Sequence, residues 1–131
     1  SGDDDISGGQ GDDSFTGGNG NATFNVNDGT DAISDLSRGD ILKITAGATA
    51  NATGIAGFTA TSATINNSTV AKGKLTANNS GVTIDLGLVA SGNGFSVTGG
   101  TGVDTLKGGS GNDIINGGLG NDQITGNGGD E

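Results

Sequence analysis

Two columns of residues run through this chain at a nine-residue step, one acidic and one apolar, and any fold must place both in register. Gly8-Gly9-Gln10-Gly11-Asp12-Asp13-Ser14-Phe15-Thr16 is followed at once by Gly17-Gly18-Asn19-Gly20-Asn21-Ala22-Thr23-Phe24-Asn25. Both follow G-G-x-G-x-D-x-U-x, where U is a large apolar residue, except that Ala22 stands where the acid belongs. A second block runs Gly99 to Lys107, Gly108 to Asn116 and Gly117 to Thr125, with Asp104, Asp113 and Asp122 at the sixth position and Leu106, Ile115 and Ile124 at the eighth. A further copy starts at Gly126 and brings Glu131 to the sixth position. The register of the first block outlasts its glycines: the sixth position reads Asp4, Asp13, Ala22, Asp31, Asp40 and the eighth Ile6, Phe15, Phe24, Ile33, Leu42. Glycine at the first, second and fourth positions excludes a helix, where each would cost roughly 0.8–1 kcal/mol against alanine.

Repeats of this length cannot bury an apolar face alone and must stack. A short strand centred on U points one side chain inward, and the glycine-rich hexapeptide turns the chain back, so two nonapeptides make one coil. The expected fold is all-β, a parallel β-roll in the form of a right-handed β-solenoid, with a non-repeat β segment between two repeat blocks. Glycine permits positive φ in the turns and close stacking of coils. Aspartates two repeats apart then lie one above the other, and stacked carboxylates repel unless a cation lies between them. Calcium fits best, because it takes six to eight oxygen ligands, backbone carbonyls included, whereas magnesium keeps several waters and demands octahedral geometry. An all-oxygen donor set disfavours the later transition metals.

Composition narrows the function further. The net charge of −10, from 15 acids against 5 bases, argues against nucleic acid and anionic membrane surfaces as partners. The absence of Cys and His removes disulfides, thiolate nucleophiles, histidine bases and the usual zinc sites. No apolar run reaches the ~18 residues of a membrane span. With only four aromatic residues, all Phe, the core must be thin and built of small or β-branched groups. The chain opens and closes within a repeat, which reads as a piece of a larger parent whose neighbouring repeats are expected partners.

The nonapeptide resembles the hemolysin-type calcium-binding repeat of RTX (repeats-in-toxin) proteins over residues 2–43 and 99–131. The resemblance implies ligands from the sixth-position acids, here Asp4, Asp13, Asp31, Asp40, Asp104, Asp113, Asp122 and Glu131. It implies turn carbonyls as the remaining ligands, here of Gly9, Gly11, Gly18, Gly20, Gly100, Gly102, Gly109, Gly111, Gly118 and Gly120. Carried over, it pairs Asp13 with Asp31, Asp104 with Asp122, and Asp113 with Glu131, while Ala22 leaves Asp4 and Asp40 each with half a pair. It further implies several bound calcium ions, export by type I secretion, and folding outside the cell.

Residues 1–43 and 99–131 are accordingly read as two roll blocks and 44–98 as a metal-poor Ala/Thr/Asn-rich β segment packed on the roll, with a separate small β-sandwich as the alternative. Period-two alternation predicts strands over Phe58–Ile65 and Val82–Leu88, with turns at Asn66-Asn67-Ser68 and Asn78-Asn79-Ser80-Gly81. Val97 falls on the eighth-position column, so the solenoid should resume just before its glycines. Arg38-Gly39-Asp40 suggests adhesion, but Asp40 already has a place in the register. Gly99-Gly100-Thr101-Gly102 lacks the helix and Lys-Ser/Thr of a phosphate loop, and Asp12 with Asp13 lacks a glycosidase cleft. The expected function is a non-catalytic calcium-binding module of a secreted or cell-surface protein, of S-layer or adhesin kind, with self-assembly at a cell surface. The alternatives are the non-catalytic region of a secreted enzyme or pore-forming toxin, and a solenoid that binds ligand through a threonine-rich face.

Overall fold

A computed structural model describes residues 2–129. Its fourteen strands, among the described residues, are β1 Asp5–Ser7, β2 Ser14–Phe15, β3 Thr23–Val26, β4 Thr30–Ile33, β5 Ile41–Ile44, β6 Thr49–Ile55, β7 Phe58–Thr59, β8 Ile65–Asn66, β9 Gly73–Ala77, β10 Thr83–Asp85, β11 Phe95–Gly100, β12 Thr105–Lys107, β13 Ile114–Gly118 and β14 Gln123–Thr125. There is no helix among them. Every strand pair is parallel, and the strands form three sheets ordered β1-β3-β5-β8, β2-β4-β6-β9-β11-β13 and β7-β10-β12-β14. The chain is a parallel β-solenoid, as the nine-residue columns predict.

The long second sheet carries one strand from each coil and runs through the whole molecule. Its inward residues follow the sequence Phe15, Ile33, Ala52, Leu75, Val97, Ile115. A coil therefore closes after two nonapeptides within each repeat block, and takes a longer path from Ala52 to Leu75 and from Leu75 to Val97. Residues 44–98 extend the same ladder and do not form a sandwich of their own. Val97 lies on the column where the register puts it, paired with Ile115.

The extra residues of the middle coils make a third side. In the first block the chain alternates between the first and second sheets. Between β6 and β9 it makes two short strands, β7 and β8. Strand β8 pairs with β5 and closes the first sheet, whereas β7 pairs with β10 and opens the third. The expected single strand over Phe58–Ile65 is thus broken. Thr61 turns the chain there: its carbonyl accepts the Thr64 N–H at 3.1 Å and its hydroxyl accepts the Ala63 N–H at 3.2 Å. Short polar side chains compete with the ladder for backbone groups in this way. The alternation over Val82–Leu88 likewise yields a strand only at Thr83–Asp85, because the Val89 N–H bonds the Leu86 carbonyl at 2.8 Å and bends the chain. The two asparagine turns form as expected, with Asn66 Oδ1 accepting the Ser68 N–H and Asn78 Oδ1 the Ser80 N–H, each at 3.0 Å.

The core is the file of side chains enclosed by the sheets. Phe24, Leu42, Leu75, Ile84, Leu86 and Leu106 are fully buried, each worth about 1.5–3 kcal/mol relative to exposure. Phe15 and Phe24 stack across the first block with ring centroids 6.3 Å apart. Asn66, a polar residue of β8, is fully buried and donates from Nδ2 to the Gly94 carbonyl at 2.7 Å. At the last described coil the column loses its cover, and Ile124 is 49% exposed where Leu106, one coil earlier, is fully buried.

Candidate metal centre

The turns that connect the sheets carry the acidic column, and the coil spacing makes each aspartate reach one coil back. Asp31 Oδ1 accepts the Asp13 N–H at 3.0 Å, Asp40 Oδ1 the Ala22 N–H at 2.8 Å, and Asp104 Oδ1 the Val82 N–H at 2.8 Å. Asp113 Oδ1 accepts the Phe95 N–H at 2.7 Å and Asp122 Oδ1 the Asp104 N–H at 3.0 Å. One oxygen of each carboxylate thus joins successive turns. The other oxygen separates the sites. Oδ2 of Asp13, of Asp31 and of Asp104 is buried and has no hydrogen-bond partner. A buried, unpartnered carboxylate oxygen is costly and calls for an explanation such as an ion.

The glycines shape the space these oxygens enter. Asp13 Oδ2 lies 1.9 Å, Asp104 Oδ2 2.4 Å and Asp122 Oδ2 2.3 Å from where a Cβ would stand on Gly8, Gly99 and Gly117, the first residues of their own repeats. At Gly99 the carbonyl oxygen of Gly117, from the next coil, comes within 2.5 Å of the same point. A carboxylate and a turn carbonyl from neighbouring coils therefore converge where the sequence omits a side chain. At the fourth position the backbone itself fills the gap: the Gly102 oxygen lies 1.7 Å from a Cβ on Gly120, whose φ is +138°.

Electrostatics agree with the geometry. Burial pushes the Asp31 carboxyl above the ordinary value of 3.8, and the charges of Asp13, Asp12 and Asp28 add to it, against the opposing bond from the Asp13 N–H. Asp85, in the third sheet, is held below 3.8: burial opposes this but is outweighed by the Gly87 N–H and by Lys107, whose Nζ is 3.0 Å from Asp85 Oδ2.

Among the described residues no three acids converge as a metal cage, so any ion would draw on carbonyls for most of its ligands, as calcium tolerates. Asp13, Asp104, Asp113 and Asp122 each aim Oδ2 at the first glycine of their own repeat, and Oδ2 of Asp31 is left without a partner. Asp4 is exposed at the first described turn, and Glu131 lies outside the described residues. Of the turn carbonyls, that of Gly100 accepts the Leu119 N–H at 2.8 Å and that of Gly109 the Gly128 N–H at 3.0 Å. Those of Gly11, Gly102 and Gly111 point at glycines of the next coil. The Arg-Gly-Asp tripeptide is unsuited to adhesion, because Asp40 is 3% exposed and both its oxygens are bonded within the turn and its neighbour.

Sequence reasoning missed two further groups. Asp35 stands at a first position, where glycine belongs, and its carboxylate accepts the N–H groups of Gly17 at 2.9 Å and Gly18 at 2.6 Å. The nine-residue register, carried one step further, marks that acid. Lys72 reaches carbonyls of two later coils, and the irregular coil lengths around it leave no spacing that signals this.

Stacked parallel coils with acids and carbonyls turned toward one another between them define a metal-binding β-roll. The chain belongs to the RTX calcium-binding nonapeptide repeat family, whose model matches in four copies over residues 1–33 and 98–130. The register that continues through Asp40 and Leu42 lies beyond the matched residues. No curated protein and no solved structure matches the chain. As a member of this family the chain is a calcium-binding structural module, and the donor set fits that ion.

Proposed function

We propose that the chain is a calcium-gated structural element of a secreted or cell-surface protein of S-layer or adhesin kind, which completes its fold on meeting calcium outside the cell. The observation that carries this is the set of buried Oδ2 atoms on Asp13, Asp31 and Asp104 with no protein partner. Without an ion these oxygens and the −10 net charge oppose the stacked state. With calcium at about tenfold above a dissociation constant of ~10⁻⁴–10⁻³ M, each occupied site adds about 1.4 kcal/mol. A few such sites rival the net stability of a small domain, about 5–15 kcal/mol. A cell interior poor in calcium would then keep the flanking coils open during export. The ligands proposed are Asp13 with Asp31 and Asp104 with Asp122, each pair completed by turn carbonyls. No helix among the described residues is long and apolar enough to cross a membrane.

Far-ultraviolet circular dichroism during titration tests the reading. Calcium should raise the β signal and the thermal midpoint, and magnesium at equal concentration should do much less. Equal responses to the two ions would reduce the sites to charge neutralisers and overturn the proposal.

A further inference from the structure

The sixth-position aspartates are of two kinds. Asp40 differs from Asp13, Asp31 and Asp104 in having its second oxygen satisfied by protein: Oδ2 accepts the Ser37 N–H at 2.7 Å and the Ser37 hydroxyl at 2.9 Å. Asp113 Oδ2 likewise accepts the Gly109 N–H at 2.7 Å. Asp40 sits at the end of the first block's register, and Asp113 one repeat inside the second block. Between them Lys72, just before β9, extends across two coils, and its ammonium donates to the Asn93 carbonyl at 2.9 Å and to the Asn112 carbonyl. An ammonium offers three donors and a full positive charge to carbonyl oxygens, the same class of oxygen that calcium would engage.

We infer that the coils from turn 35–40 to turn 108–113 form a waist that stays folded without calcium, in which Lys72 serves as a tethered cation joining successive turns, and that calcium governs the coils on either side, the Asp104–Asp122 site lying on the seam between the waist and the last coil. The inference rests on the calcium reading of the unpartnered carboxylates. Burial supports it, because Leu42, Ile55, Phe58, Leu75, Ile84 and Phe95, all at most 1% exposed, lie within the waist. The first described coil has Ile6 only partly buried, and the last has Ile124 half exposed. The waist offers β5 and β11 as ready edges for β3 and β13, so each flank can add strands to an existing ladder when calcium arrives, avoiding the cost of nucleating a parallel sheet.

Hydrogen exchange of the whole chain, read by mass spectrometry in chelator and in millimolar calcium, tests this. In chelator the wild-type amides of β5, β9 and β11 should stay protected, while those of residues 5–16 and 117–125 should exchange about tenfold or more faster than in calcium. Lys72→Met should lose about tenfold protection at 90–95 and 108–113 in chelator, and Lys72→Arg, which keeps charge and reach, should retain it. A wild-type waist that exchanges as fast as the flanks in chelator overturns the inference, as does a folded Lys72→Met with unchanged protection. Should Lys72→Met not fold, the wild-type pattern and Lys72→Arg still decide. Flanks indifferent to calcium would instead defeat the calcium reading itself, a distinct result.

Discussion

Asp104→Asn should change the sign of its effect with the metal. Asp104 is fully buried, with Oδ1 engaged by the Val82 N–H and Oδ2 without a partner. Asparagine preserves the shape and an acceptor for Val82, removes the charge, and puts an amide donor near the Gly117 carbonyl, which converges on the same space beside Gly99. An unsatisfied buried acceptor costs about 1–3 kcal/mol, and more when charged. In chelator the variant should therefore be more stable than wild type by roughly 1–3 kcal/mol, or about 4 °C in thermal midpoint per kcal/mol at this chain length. In calcium it lacks a charged ligand and should forgo about 1.4 kcal/mol for each tenfold of calcium above the dissociation constant. The calcium-induced rise in midpoint should thus shrink from both ends. Calorimetry in chelator and in calcium measures the two quantities. If Asp104→Asn is destabilised by the same amount in both, the carboxylate is a structural hydrogen-bonding group and its assignment as a ligand is wrong.

Three further outcomes follow from burial, close contact and titration. Leu106→Ala should cost about 2–5 kcal/mol and Ile124→Ala under about 1, by chemical denaturation in calcium, since one side chain is fully enclosed and the other half exposed; equal losses would mean that the last coil is covered in solution. Gly120→Ala sets a Cβ on the Gly102 oxygen at a φ of +138°, whereas Gly9→Ala meets nothing within 4 Å at +99°. Both incur about 1–2 kcal/mol of backbone strain, but Gly120→Ala adds overlap of similar size and should show the lower midpoint. Asp31 has a folded pKa above its unfolded 3.8, so the native state holds the proton more tightly, and its contribution is full below 3.8 and lost as pH rises through the raised value. In chelator, acidification from neutrality toward pH 4 should therefore raise the thermal midpoint, while in calcium, where protons compete with the ion, it should lower it. Asp85, with its lowered value, loses its contribution only as pH falls below 3.8, outside that window.

The repeat blocks were legible because a nine-residue step fixes which residues share a column before any coordinate is known. Phe24, Leu42 and Leu106 inside, Asp31 and Asp122 stacked on their predecessors, and the parallel pairing all follow from it. The middle was not legible to the same degree. The long coils from Ala52 to Leu75 and from Leu75 to Val97 are set by corners at Thr61, Asn66, Asn78 and Leu86, where side chains and carbonyls bond nearby backbone at no fixed interval. Alternation alone cannot place a corner, so Phe58–Ile65 read as one strand although it spans two sheets. Within the acidic column, sequence shows that Asp40 and Asp31 hold equivalent positions. Only the folded turn shows that Ser37 satisfies one while the other keeps an oxygen unpaired.

The third side of the middle coils has a mechanical consequence. Both repeat blocks share the long second sheet, but the first is backed by the β1-β3-β5-β8 sheet and the second by the β7-β10-β12-β14 sheet. The two rolls are thus mounted on a common spine, and their other walls are separate sheets that change over at β7 and β8. Load applied along one block passes to the other through a continuous hydrogen-bonded ladder. A spacer built this way ties its two repeat blocks together by main-chain bonds that depend on no side chain at the turns.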